Sequence, residues 1–131
     1  MDQKKLVKAA LKARGNSHSP YSNFRVGAAL LTAGGKIYSG CNIENSSFSL
    51  TLCAERTVLF KAYSEGERKF RAIALASDSA KLIPPCGACR QVIMELAPGI
   101  DVIIADRKGN YEVYSTDELL PHPFTQNFLK R

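Results

Sequence analysis

Residues 70–77, Phe-Arg-Ala-Ile-Ala-Leu-Ala-Ser, form an apolar, β-compatible run with a helix-compatible segment on either side. Leu52 to Ser64 precedes it and is closed by Gly66. Cys86 to Leu96 follows, entered through Pro84-Pro85 and ended at Pro98-Gly99. Strand–helix–strand connections within one sheet are almost always right-handed. If the sheet advances in one direction, both helices therefore lie on the same face, side by side and parallel. Their N-termini then open together at the carboxyl ends of the strands, where open α/β sheets bind ligands. The residues at those two N-termini matter most.

The rest of the chain extends this pattern. Asp2 can cap a first helix with Leu6, Ala9, Ala10 and Ala13 at helical spacing, stopped at Gly15-Asn16. Arg25 to Leu31 and Lys36 to Gly40 read as strands joined at Gly34-Gly35. Asp101 to Ala105 and Tyr111 to Ser115 read as strands around Gly109-Asn110. Ser115-x-x-Glu118 is a capping box for a short last helix, halted by Pro121. The predicted order is α-β-β-α-β-α-β-β-α. At 131 residues the chain is expected to be one domain spanning 1–131. Its 45% hydrophobic content excludes disorder, and no apolar run approaches the length of a membrane span. Met1 to Arg14 shows no apolar stretch of a signal peptide, so a cytoplasmic setting with free or metal-bound thiols is expected for the four cysteines. The net charge of +6 owes much to Lys4, Lys5, Lys8, Lys12 and Arg14. No basic stripe interleaved with aromatics follows, so no nucleic-acid partner is expected.

One helix begins Cys53-Ala-Glu55-Arg56 and the other Pro85-Cys86-Gly-Ala-Cys89-Arg90. Cys86 and Cys89 are three apart and share a face in the first turn. Cys53 can join them from the neighbouring helix. Helix N-termini favour thiolates, and three protein ligands around an open fourth position is the arrangement of a catalytic zinc. Other readings stay open on spacing alone. Cys-x-x-Cys can be a redox pair, although that leaves Cys53 and Glu55 unexplained. A closed four-cysteine site would recruit Cys41, from a strand end and at a spacing unlike a short zinc knuckle. Four inert cysteines is the plainest alternative. Residues i and i+2 diverge by about 200° inside a helix. Glu55 can thus approach Cys53 only if Cys53 sits at the helix start and Glu55 folds over the open end. His18 and His122 have no second ligand nearby in sequence and read as loop residues.

A His-or-Cys-x-Glu followed by Pro-Cys-x-x-Cys marks zinc nucleobase deaminases. Beyond that mark, the chain resembles the small, homotetrameric cytidine deaminases of nucleoside salvage. The resemblance is carried by Pro20-Tyr-Ser-Asn-Phe24-Arg-Val-Gly-Ala-Ala-Leu31, Gly40-Cys-Asn42-Ile-Glu44-Asn45, Cys53-Ala-Glu-Arg-Thr57, Pro85-Cys-Gly-Ala-Cys-Arg-Gln91 and Glu118-Leu-Leu-Pro121. It implies an α/β/α three-layer sandwich with a five-stranded mixed sheet, and one zinc per subunit on Cys53, Cys86 and Cys89. It implies proton transfer by Glu55, ribose 3′-hydroxyl contacts from Asn42 and Glu44, and packing of Phe24 against the base. The Ala54 backbone is expected to bond the pyrimidine, and Phe124 to close a neighbouring subunit's site. Two positions depart from the pattern: Phe48 stands where the family usually has Tyr, and Thr51-Leu52 where Cys-Asn is commoner.

The chemistry of these roles is coherent. Zinc brings the deprotonation of water toward neutral pH. Glu55 would take that proton, deliver it to N3 of cytosine, and later protonate the departing amine. Three thiolates and Zn²⁺ sum to −1, which Arg56 is placed to offset by donating to ligand sulfurs. The expected activity is deamination of cytidine and deoxycytidine to uridine and deoxyuridine. A blasticidin-type aminonucleoside deaminase is the alternative, and Glu44 in the ribose loop favours the ordinary nucleoside. The exposed flank Val58, Leu59 and Phe60 is expected to serve an oligomer interface.

Overall fold

The computed structural model describes residues 2–129. Its elements follow the predicted order: α1 (Gln3–Ala13), β1 (Val26–Thr32), β2 (Ile37–Cys41), α2 (Ala54–Ser64), β3 (Phe70–Ser77), α3 (Gly87–Leu96), β4 (Asp101–Ala105), β5 (Tyr111–Ser115) and α4 (Thr116–Leu119). Three short 3₁₀ turns, Arg14–Asn16, Phe48–Leu50 and Gln126–Leu129, are added. The predicted caps are in place. The Asp2 carboxylate accepts from the Lys5 amide at 3.1 Å, and Ser115 with Glu118 forms a reciprocal capping box.

The five strands form one mixed sheet in the order β2-β1-β3-β4-β5. β3 and β4 run parallel, and the other neighbours pair antiparallel. Because β1 is antiparallel to both β2 and β3, the latter two run in the same direction. The chain thus moves from β2 to β3 to β4 in one sense across the sheet, carrying α2 and α3 to the same face.

Alternation along the strands builds two different faces. Leu30, Tyr38, Ile73, Leu75, Val102 and Ile104 meet α2 and α3 through Val58, Leu59, Ala62 and Ile93. Ala29, Ala72, Ala74, Ala76 and Ala105 form the opposite face, covered by α1 through Leu6, Val7 and Ala10. The small side chains let a single helix lie close to the sheet. At Gly27 a Cβ would stand 2.0 Å from the Ala10 carbonyl oxygen, so no other residue fits beneath α1 there. At Gly40 a Cβ would stand 3.0 Å from the Val58 amide, setting the approach of α2 to β2. Each fully buried Leu or Ile contributes about 2 kcal/mol. The fold is the expected α/β/α sandwich.

One expectation is corrected. Val58 and Leu59 are fully buried in the chain's own core and supply no interface, while Phe60 is exposed. At about 100° per residue, positions 54, 55, 58, 59 and 62 turn toward the sheet and position 60 turns away. Among the described residues, no helix is long and apolar enough to cross a membrane.

Candidate active site

Cys53 and Cys86 are the N-cap residues of α2 and α3, and both have extended backbone. An N-cap precedes the helical turn, so its side chain projects beyond the helix end, toward the neighbouring N-terminus. Cys89 follows in the first turn of α3 and is fully buried. The three sulfurs lie within 4.8 Å of one another, with Cys86 and Cys89 3.4 Å apart. A tetrahedral zinc with bonds of about 2.3 Å separates its sulfurs by about 3.8 Å. The soft donor set and its spacing fit one zinc, which Cys53, Cys86 and Cys89 would hold beside the cavity that Cys53 and Cys86 line. Cys41 lies outside the cluster, at the end of β2 beside Lys61. Among the described residues no histidine joins it.

Two arginines act at the two helix starts in different ways. Arg56 donates to the Cys53 Sγ at 3.4 Å and to the Thr51 carbonyl at 3.3 Å. Arg90 touches no sulfur; it donates to the Pro85 carbonyl at 2.8 Å and the Leu119 carbonyl at 2.9 Å, fixing the backbone that leads into Cys86. A hydrogen bond from Cys89, opposed by burial and aided by Arg56, lowers the Cys53 thiol to about 5. Cys89 is correspondingly raised, because it donates to Cys53 and is buried.

Glu55 is the second residue of α2 and is 5% exposed. It lies against the cluster, lining the same cavity as Cys53 and Cys86. Burial raises its carboxyl above the usual range, opposed by a bond from its own amide. The helix-start geometry required by the Cys53-x-Glu55 spacing is therefore present.

The cavity holds about 230 Å³ and sits at the carboxyl ends of β3 and β4. Phe24, Asn42, Ala54 and Glu55 line it, together with Leu75, Ser77, Ile83 and Pro84. The Asn42 side-chain oxygen accepts from Ser17 Oγ and from the Val26 amide at 3.0 Å, and its nitrogen donates to the Phe24 carbonyl at 2.8 Å. One Asn42 N–H remains for a ligand. Ala54, first in α2, has an amide without an intrahelical acceptor.

Two predicted residues stand apart from this cavity. Glu44 lines an adjoining space of about 390 Å³ with Tyr21, Ser22, Phe48 and Thr51, and Thr51 lines both spaces. Its carboxylate accepts from Ser22 Oγ and from the Tyr21 and Ser22 amides at 3.0 and 3.2 Å. The Ser22 hydroxyl bond chiefly holds it below the usual glutamate range. Phe48 is edge-on to Tyr21, with ring centroids 5.9 Å apart. Phe124 is 59% exposed, stacks on Phe128, and shares a groove with Phe60, Gln91 and Val92 on the outer side of α2 and α3. Sequence reasoning notes Thr51 only as a departure from the family pattern and does not single out Ile83 or Asp78; the last two follow the carboxyl end of β3, which is the one signal that points to them.

Residues 1–105 match the family described as the cytidine and deoxycytidylate deaminase zinc-binding region. A cytidine deaminase of Halalkalibacterium halodurans is 51% identical over 126 residues, covering 95% of this chain and 96% of that one. One of Sporosarcina psychrophila is 49% identical over 130 residues, covering 98% and 96%. The crystal structure of cytidine deaminase from Burkholderia pseudomallei superposes with a TM-score of 0.92 at 46% identity, covering 95% of this chain and all of that one. With its three thiols, its buried glutamate and its α/β/α frame matched over nearly its whole length, the chain belongs to the zinc-binding cytidine and deoxycytidylate deaminase family.

Proposed function

We propose that this chain hydrolyses cytidine and deoxycytidine to uridine and deoxyuridine with release of ammonia, using one zinc held by Cys53, Cys86 and Cys89. The observation that carries the reading is the placement of Glu55, a buried carboxyl with a raised pKa, beside three converging thiols on the wall of a cavity of nucleobase size. When bound, zinc supplies Lewis acidity that brings water deprotonation near neutral pH. Glu55 takes one proton from water and passes it to N3 of the base as the water oxygen bonds to C4, then takes the second proton from that C4 hydroxyl and gives it to the amine, so that the C4–N bond breaks, ammonia leaves and a C4 carbonyl remains. The Ala54 amide orients the pyrimidine, and Phe24 packs against it. Asn42 and Glu44 receive the 3′-hydroxyl, leaving the 2′ position unread, so both sugars serve. Arg56 offsets thiolate charge through Cys53.

Among the described residues, neither of the two adjoining spaces is lined by Lys or Arg, and one carries Glu44, so no described cation lies there to receive a 5′-phosphate. This favours nucleosides over nucleotides. The site is completed by a neighbour in a homotetramer. Supporting this, the exposed Tyr21 and Phe48 line the space that holds Glu44, and Phe124 lies in a groove with Phe60, Gln91 and Val92 outside the cavity of its own chain. A cytoplasmic setting suits the four free thiols. Conversion of the cytosine ring to a uracil ring and ammonia release should be measured with cytidine, deoxycytidine, cytidine 5′-monophosphate, blasticidin S and a cytosine-containing oligonucleotide. Comparable turnover of the first two and little of the others is expected. Preference for the phosphate, the antibiotic or the oligonucleotide would overturn the substrate reading.

A further inference from the structure

Phe24 sits on a surface loop, yet it must hold still to form a wall of the cavity. Asn23, directly before it, has φ +55°, the left-handed region that an Asn side chain tolerates but that gives a loop no rigidity of its own. On one side the loop is held by Glu44 through the Tyr21 and Ser22 amides. On the other side the grip comes from Asp78, immediately after β3. Its carboxylate accepts from the Arg25 amide at 3.0 Å and from Arg25 Nε and Nη2 at 3.1 Å each. The Asp78 amide donates back to the Arg25 carbonyl at 3.2 Å. Arg14, just past α1, approaches the same carboxylate at 3.4 Å and donates to the Ser77 carbonyl at 2.9 Å.

One carboxylate therefore joins the end of α1, the residue between Phe24 and Val26, and the end of β3 next to the cavity-lining Ser77. The bidentate fork fixes orientation as well as distance. An isolated exposed ion pair does little, but here two backbone amides are engaged in the same contact, so the loop's path is specified.

We propose that Asp78 is a positioning residue for nucleoside binding, acting by clamping Arg25 so that Phe24 stands as a fixed wall of the cavity. The inference rests on the reading that this cavity receives the base of a nucleoside. Phe24 contacts substrate in the ground state and the transition state alike, so loosening it affects binding uniformly and leaves turnover nearly intact.

The test is a double-mutant cycle on the zinc-loaded enzyme with cytidine as substrate. Asp78→Ala should raise KM about tenfold, with kcat within about twofold and zinc content unchanged. Arg25→Ala should do much the same, and the double variant no more than either. In a Phe24→Ala background, Asp78→Ala should raise KM little further, because the wall it positions is gone. Full additivity with Phe24→Ala, or a fall in kcat with KM unchanged, would overturn the proposal. If Asp78→Ala does not fold, Asp78→Asn keeps an acceptor for the Arg25 amide but loses the ionic fork, and the same cycle applies to it. Wild-type protein that does not turn over cytidine would sink the substrate reading itself, a result distinct from an additive cycle in an active enzyme.

Discussion

The floor of the cavity is held by two helix N-termini whose capping residues are themselves thiol donors, whereas its rim is held by loops tied down through carboxylate–amide bonds. On the floor, Cys53, Glu55, Cys86 and Cys89 lie within short stretches of chain, and α2 and α3 are anchored by the larger of the two cores. On the rim, Phe24, Asn42 and Glu44 come from segments that make no regular element, and each is fixed by partners distant in sequence. Floor residues are positioned by secondary structure and rim residues by specific side chains. The chemistry is therefore expected to fail sharply and locally when the floor is changed, and binding to fail gradually when the rim is changed.

The largest effect should come from the floor. Cys86→Ser is expected to lose zinc and essentially all activity, measured by metal analysis and ammonia release. Cys41→Ser should keep both, since Cys41 stands outside the cluster; equal zinc loss in the two would restore a four-cysteine site. Glu55→Gln should next lower kcat by about 10²–10⁴, the range for a lost general acid/base, while retaining zinc. Near-normal turnover would remove Glu55 from proton transfer.

At the rim, Phe124→Ala should raise KM without releasing zinc. Mixing it with Glu55→Gln chains should regenerate activity above either parent if sites are shared between copies. Mixed tetramers, verified by native mass, with no such gain would confine each site to one chain. Glu44→Gln should raise KM for cytidine by about tenfold, and affect free cytosine much less.

The smallest effect concerns pH. Burial pushes Asp78 up, but the hydrogen bonds and charges of Arg25, with the charge of Arg14, outweigh it and hold the carboxyl below the usual aspartate range. A depressed folded value means that its contribution to stability is complete above the unfolded value of about 3.9 and is lost as pH falls through the folded one. The Tm difference between wild type and Asp78→Asn should be constant from about pH 5 to 8 and shrink toward zero at lower pH. A difference that grew on acidification would show that the contact does not depend on the ionised carboxylate.

Much of this was legible in residue order. Turn and capping residues, Asp2, Gly34-Gly35, Pro84-Pro85, Gly109-Asn110 and Ser115-x-x-Glu118, marked element ends because they act locally. The alternation of Ala with Ile and Leu through 70–77 carries the two unlike sheet faces in its spelling. Crossover handedness predicts that Cys53 meets Cys86 and Cys89 if the sheet advances in one direction, as it does from β2 through β3 to β4. The flank of α2 differs from its expectation because an apolar triplet does not reveal which of its members turns inward. Val58 and Leu59 went to the core only once the helix phase against the sheet was set.

Asp78 is invisible in the sequence for a related reason. An aspartate after a strand is ordinary in sequence, and only the juxtaposition of three chain segments makes it a clamp. Sequence by itself determined the elements, the Cys86-x-x-Cys89 pair and the start of α2 at Cys53-x-Glu55, since those depend on interactions among residues a few positions apart. Tertiary structure decided which residues share a cavity, which exposed aromatics are left without a partner, and which carboxylates hold the rim. Those depend on segments dozens of residues apart meeting at one point, and no local rule encodes that meeting.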